Sequence, residues 1–252
     1  MNKITLITGA TSGIGYACAQ RFASEGHNLI ITGRRKERLN NLSSELKEKY
    51  GVNVLSLNFD IREQKKVVEA IASLPDDWKK IDILVNNAGL AAGLNPIQTG
   101  VIDDWEQMID TNVKGLLYMT RAIAPLMIEQ LRGHIINIGS IAGKEVYPNG
   151  NVYCATKHAV NALTKGIRID LVQHGIRVSQ IAPGAVETEF SEVRFKGDTE
   201  KARQVYRGYE PLHAEDIAEV TYYVTTLPAH VTVNDLVIMP TAQASATVMH
   251  KE

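Results

Sequence analysis

Thr8-Gly9-Ala10-Thr11-Ser12-Gly13-Ile14-Gly15 decides how this 252-residue sequence reads. An apolar, β-branched run over residues 4–8 precedes it and an amphipathic stretch over residues 13–24 follows, so the glycines fall at a strand-to-helix turn. Glycines there let the backbone turn sharply and approach a pyrophosphate. The helix start adds unpaired N–H groups and the positive end of its dipole. A glycine-rich turn without a ligand has the same letters, but the strand before and the helix after are the context that dinucleotide binding requires.

The alternation continues outward from this motif. Further strand patterns cover residues 28–32, 53–57, 81–86, 133–138, 177–182 and 236–239, and helical patterns cover 35–49, 62–73, 103–131, 152–174 and 214–226. Strands apolar along their whole length need cover on both faces, which predicts an α/β fold: a doubly wound parallel sheet of about seven strands wrapped by crossover helices. No Pro/Gly/Ser linker, repeat or low-complexity tract divides the chain, so residues 1–252 read as one domain. Residues 187–209 lack an apolar stripe and form the longest insertion before the next clear helix. They are the candidate lid over a pocket.

Composition narrows the function classes. Hydrophobic residues make up 44% and charged residues 22%, which is ordinary for a packed globular protein. Lys plus Arg total 27 against 28 for Asp plus Glu, so the net charge of -1 predicts no attraction to nucleic acid or to a membrane surface. No apolar run approaches the ~18 residues of a membrane span. The start of the sequence, Met1 to Ile7, runs straight into a strand pattern with no signal-peptide character. Cys18 and Cys154 do not make a disulfide framework, so a reducing, cytoplasmic setting is expected. The seven histidines show no metal-ligand spacing, and no metal is expected.

Cofactor choice is written at the end of the second strand. An acidic residue there would bind the adenosine ribose 2′-hydroxyl and select NAD, but the sequence has Thr32-Gly33-Arg34-Arg35. Two cations suit a 2′-phosphate, hence NADP(H). Arg34 or Arg35 could instead simply begin a solvated helix. Asn86-Asn87-Ala88-Gly89 follows the fourth strand, at the sheet edge where open α/β folds bind ligands, and its small residues suit close contact. Asp60-Ile61, just past the third strand, could line an adenine site, though Asp60 could equally be a helix cap.

The chemistry is carried by Tyr153-Cys154-Ala155-Thr156-Lys157, which stacks Tyr153 and Lys157 one turn apart on a helix face. A free tyrosine titrates near ~10, and a neighbouring cation would stabilise its phenolate. The same pair is common on solvated helices. Ser140, after the fifth strand, could orient a carbonyl oxygen or could cap a turn. Asn112 lies inside the 103–131 helical stretch, where an amide is a poor helix former. It marks either a local kink or a solvent-facing position.

Taken together, the glycine motif, Asn86-Asn87-Ala88-Gly89, Asn112, Ser140, Tyr153-x-x-x-Lys157 and Pro183-Gly184 follow an order and spacing that resembles the short-chain dehydrogenases/reductases over nearly the whole chain. The resemblance implies a Rossmann-type fold with Gly9, Thr11, Ser12, Gly13, Ile14 and Gly15 around the cofactor phosphates and Asn87, Ala88 and Gly89 beside it. Tyr153 would exchange a proton with the substrate oxygen and Ser140 would hydrogen-bond it. Lys157 would lower the Tyr153 pKa and hold the nicotinamide ribose, and Asn112 would anchor a water. Pro183, Gly184, Val186 and Thr188 would lie against the nicotinamide carboxamide.

Trp105 to Asn112, Gly150-Asn151-Val152-Tyr153, Thr188-Glu189-Phe190-Ser191 and Val193 to Asp198 are similar to one subgroup, the NADP-dependent 3-hydroxy acid dehydrogenases that act on serine or L-allo-threonine. That similarity implies a small-molecule 3-hydroxy/3-oxo acid as substrate, and Arg194 is the candidate cation for its carboxylate. Arg194 could equally be a surface cation. Two alternatives stay open: a 3-oxoacyl-carrier-protein or general carbonyl reductase, and a non-catalytic NADP(H)-binding sensor or scaffold. Val113, Leu117, Ala155, Ala159 and Ala162 could pack on sister helices in a homotetramer, as in the family, or inside one subunit.

Overall fold

The computed structural model describes residues 2–252; Met1, where the N-terminal reading begins, lies outside them. Seven parallel strands form one sheet in the order β3-β2-β1-β4-β5-β6-β7. They are β1 (Ile4–Ile7), β2 (Asn28–Gly33), β3 (Val54–Asn58), β4 (Ile81–Asn86), β5 (Gly133–Ile138), β6 (Ile176–Pro183) and β7 (Asp235–Ile238). The helices that connect them are α1 (Gly13–Ser24), α2 (Lys36–Tyr50), α3 (Gln64–Ala72), α4 (Ile102–Ile109), α5 (Leu116–Gln130), α6 (Asn151–Leu171), α7 (Phe190–Arg194), α8 (Thr199–Tyr206) and α9 (Ala214–Thr226).

Both faces of the sheet are covered, which is why its central strands carry long apolar runs, and every residue of β1 is buried. On one face Phe22 of α1, Leu39, Leu42 and Leu46 of α2, and Ile217 and Val224 of α9 pack against Ile7, Leu29 and Ile31. On the other, Val67 of α3 and Met119, Ile123 and Met127 of α5 pack against Leu6, Ile30, Leu84 and Ile135. A third cluster of Leu90, Ala91, Ala92, Met108, Tyr153 and Cys154 lies beyond the carboxyl ends of the strands.

The single helix expected over residues 103–131 is corrected. A π-helical turn, Asp110–Gly115, separates α4 from α5. The wide turn buries Thr111, Asn112 and Gly115 together, so Asn112 faces inward and the solvent-facing alternative falls. Residues 187–209 also hold more order than their polarity suggested. Asp198 caps α8 by accepting from the Lys201 N–H at 3.1 Å, and the helix is otherwise held by little apolar surface.

Candidate active site

Chain order reverses between β1 and β4, and the crevice beyond their carboxyl ends is where a doubly wound sheet accepts ligands. A continuous cleft of about 520 Å³ opens there. Most of the residues singled out in the sequence line it, from Gly9 and Thr11 to Ile14 through Arg34, Arg35, Asp60, Ile61, Asn87 to Gly89, Ser140, Tyr153, Lys157, Pro183, Gly184, Val186, Thr188 and Arg194. Two stand behind the wall instead. A Cβ on Gly15 would come within 2.3 Å of the Gly9 carbonyl oxygen, so Gly15 permits the loop to close on the helix. Asn112 supports the wall from below.

The nucleotide half is built on α1. Ser12 occupies the N-cap position without capping the helix, so the first-turn N–H groups keep no side-chain partner and meet the cleft. The Thr8 hydroxyl accepts from Asn87 N and Ala88 N at 3.0 and 2.9 Å, tying the segment after β4 to the glycine loop. Arg35 donates to Thr11 Oγ1 at 3.0 Å and to Ser12 Oγ at 2.7 Å, which lays its guanidinium along that loop. Arg34 stands 3.9 Å from Asp60. Asp60 is gripped by Arg62 at 2.7 Å, which overcomes the effect of burial and holds its carboxyl below the ordinary range. An uncapped helix start beside two arginines fits the pyrophosphate and 2′-phosphate of NADP(H), and the small Ala88 and Gly89 leave room for a ring.

At the other half, Tyr153 and Lys157 rise from α6, buried and one turn apart. Lys157 Nζ donates to the Ile138 carbonyl at 2.9 Å and stands 6.0 Å from the Tyr153 ring centroid. Burial lowers its pKa to about 8. Burial also pushes the Tyr153 phenol well above its usual value, while Arg194 and a hydrogen bond with Ser140 pull it down. The neighbouring Tyr147 adds to the upward push, and the Lys157 ammonium is hydrogen-bonded to a carbonyl. Ser140 Oγ also accepts from Ala142 N at 3.1 Å, so the turn-capping reading and the site reading hold for the same hydroxyl.

Asn112 joins three elements. Its Oδ1 accepts from Leu90 N at 2.8 Å, and its Nδ2 donates to Leu90 O at 2.8 Å and to Thr156 Oγ1 at 3.1 Å. Gly89 relieves crowding here, because a Cβ there would lie 3.2 Å from Asn112 Oδ1.

Arg194 is no free surface cation. Its Nη2 donates to the Tyr147 hydroxyl at 2.6 Å, and Gly93 N donates to its carbonyl at 2.9 Å. Lys196 pairs with the nearly buried Asp104 at 2.9 Å, fastening the same segment to α4. Phe190 meets Tyr153 edge-on, with centroids 5.7 Å apart. Sequence reasoning missed Tyr147, Phe190 and Glu189 as cleft residues. Tyr147 sits in irregular chain between the 3₁₀ turn Ile141–Gly143 and α6, where no periodicity marks it; its place seven residues after Ser140 and six before Tyr153 was the available signal.

Comparison with known proteins agrees with this geometry. A family model described as short chain dehydrogenase matches residues 3–199. The NADP-dependent 3-hydroxy acid dehydrogenase YdfG of Salmonella typhi is 52% identical over 244 residues, covering 96% of this chain and 97% of that protein. Sulfoacetaldehyde reductase 2 of Chromohalobacter salexigens is 49% identical, covering 97% and 96%. Among solved structures, the closed form of a serine dehydrogenase complexed with NADP+ superposes with a TM-score of 0.92 at 49% identity, covering 99% of this chain and all of that one.

Proposed function

The chain belongs to the short-chain dehydrogenase family, and from that premise we propose that it is an NADP(H)-dependent oxidoreductase acting reversibly at C3 of a 3-hydroxy acid of the serine, L-allo-threonine or 3-hydroxypropionate type. One observation carries the reading: Ser140 and Tyr153 share a cleft with an arginine–tyrosine pair on one side and with Arg34 and Arg35 on the other.

When bound, the nicotinamide supplies or accepts the hydride. The protein's own groups do the rest. Tyr153, whose burial keeps its phenol protonated at neutral pH, gives its proton to the substrate oxygen during reduction and takes it back during oxidation. Ser140 donates a hydrogen bond to the same oxygen. Lys157 and Asn112 hold the floor beneath them, between β5, the π turn and α6. Arg194, with the Tyr147 hydroxyl, binds the substrate carboxylate through charge-assisted hydrogen bonds. Arg34 and Arg35 receive the 2′-phosphate.

The pairing of Arg194 with Tyr147 supports a small anionic substrate over a carrier-bound thioester. It also favours a second reading, an aldehyde bearing a sulfonate, since that anion accepts from the same two donors and a sulfoacetaldehyde reductase is among the relatives. Oxidation of serine, L-allo-threonine, D-threonine and 3-hydroxypropionate with NADP⁺ and with NAD⁺, beside NADPH-linked reduction of sulfoacetaldehyde, tests both readings. Turnover of thioesters with none of these acids would favour the carrier-protein alternative.

Among the described residues no helix is long and apolar enough to cross a membrane. Two free, buried cysteines suit a cytoplasmic setting. Homotetramer formation is supported by exposed Ile109 and Leu117 along α4 and α5 and by Ile169 and Val172 at the end of α6.

A further inference from the structure

We propose that Glu189 tunes cofactor selectivity: its carboxylate competes with the 2′-phosphate for Arg35 and so limits how tightly NADP(H) binds relative to NAD(H). The inference rests on the reading that Arg35 receives that phosphate.

Two carboxylates line the cleft, Asp60 and Glu189. Arg62 occupies Asp60, donating from Nε to Oδ1 at 3.0 Å and from Nη2 to Oδ2 at 2.7 Å. Glu189 instead reaches across from the lid, 154 positions away in sequence, and its Oε2 accepts from Arg35 Nη1 at 3.0 Å. Arg35 commits its other nitrogens to the glycine loop, with Nε and Nη2 on Thr11 Oγ1 at 3.2 and 3.0 Å and Nη2 also on Ser12 Oγ at 2.7 Å. All three nitrogens of Arg35 are therefore engaged, and Nη1, the one facing away from the loop, is held by Glu189.

A phosphate that binds Arg35 must share or displace this carboxylate, and the two anions repel each other across one guanidinium. Arg38 donates to Glu189 Oε1 at 2.7 Å. It holds the carboxylate against Arg35 and partly neutralises it. NAD(H) has no 2′-phosphate and is indifferent to the contest. Glu189 is thus a specificity-determining residue that acts through Arg35, and it makes the lid a participant in reading the adenosine end of the nucleotide.

Glu189→Gln keeps the side chain's shape and removes its charge. Dissociation constants for NADPH and NADH, measured by fluorescence titration of the wild type and the variant, separate charge from architecture. NADPH should bind the variant about three- to fivefold more tightly, the scale of a partly exposed ion interaction. NADH should stay within about twofold. Unchanged or weaker NADPH binding, or an equal shift for both nucleotides, would overturn the proposal. A wild type that binds NADPH no better than NADH would instead overturn the assignment of Arg35 to the 2′-phosphate.

Discussion

The guanidinium of Arg194 donates to the Tyr147 hydroxyl at 2.6 Å while its central carbon lies 5.3 Å from the centroid of the Tyr153 ring. One lid cation therefore touches the residue that would help bind a substrate anion and overlooks the one that would move a proton. Arg194→Ala should raise KM for a 3-oxo acid about 10- to 100-fold, the loss of a charge-assisted hydrogen bond. The uncharged methyl ester of the same acid should show little change. Steady-state kinetics on the two substrates checks this.

Tyr153→Phe removes the proton carrier and leaves the nucleotide half of the cleft intact. Turnover should fall by ~10²-fold or more. Fluorescence titration should still detect NADPH binding, and full retained activity would exclude Tyr153 from proton transfer.

Arg35→Ala should weaken NADPH binding by ~10-fold or more and NADH binding far less. Both nucleotides lose the bonds that hold Thr11 and Ser12, but only NADPH loses a phosphate partner. Calorimetric titration with each nucleotide gives the ratio directly. Equal losses for both would mean that Arg35 serves the glycine loop alone.

Asn112→Ala leaves the buried Leu90 N–H and C=O without their partner. The cost should be about 2 kcal/mol, or ~4–8 °C in melting temperature for a chain of this size. A melting temperature within a degree of wild type would mean that the segment after β4 finds its partners elsewhere.

His134 is buried in β5 against Ser179, 2.8 Å away, and burial, helped by the charge of Arg177, pushes its pKa down to about 3 from 6.5. Because the folded value is depressed, the unfolded chain takes up the proton first as the pH drops below about 6.5. Stability conferred by the neutral ring is full above that pH and declines below it, by roughly 2 kcal/mol at pH 5. Urea denaturation at pH 7.5 and pH 5 should show a smaller decline in His134→Gln. His27, lowered to about 4 mainly by burial, acts with the same sign, so part of the slope should persist.

The parts of the molecule that repeat a local rule were legible in the sequence. Residues 13–24, 81–86, 133–138 and 214–226 match α1, β4, β5 and α9, because each has its own apolar period and a clear stop. Ser140, Tyr153 and Lys157 stand out through the order of motifs that carries the family resemblance, since each alone has a plainer reading as a turn cap or a solvated pair. The structure brings all three to one cleft. What depends on chain segments meeting was not legible. Glu189 stood in a stretch similar to one subgroup but drew no role, because its meaning lies in Arg38 of α2 and Arg35 in the turn before it. Asn112 looked like an isolated weak helix residue until Leu90 and Thr156 supplied its partners. The short helices α7 and α8 were hidden because their residues are mostly polar and they are held by contacts with the rest of the lid and the cleft wall.

The wide turn at Asp110–Gly115 sets the phase of everything on either side of it. Upstream, Asp104 must face Lys196; downstream, Met119, Ile123 and Met127 must face the sheet. An uninterrupted α-helix advances ~100° per residue. A π turn closes its hydrogen bonds i→i+5 where an α-helix closes them i→i+4, so it houses about one residue more. Excising a single residue here would therefore let it close as regular helix, with both sets of contacts nearly in register. Deletions within α4 or α5 shift one set of contacts against the other. A library of one-residue deletions scanned along residues 102–130 should therefore keep phase best at this turn, with the remaining loss there set by the buried Asn112.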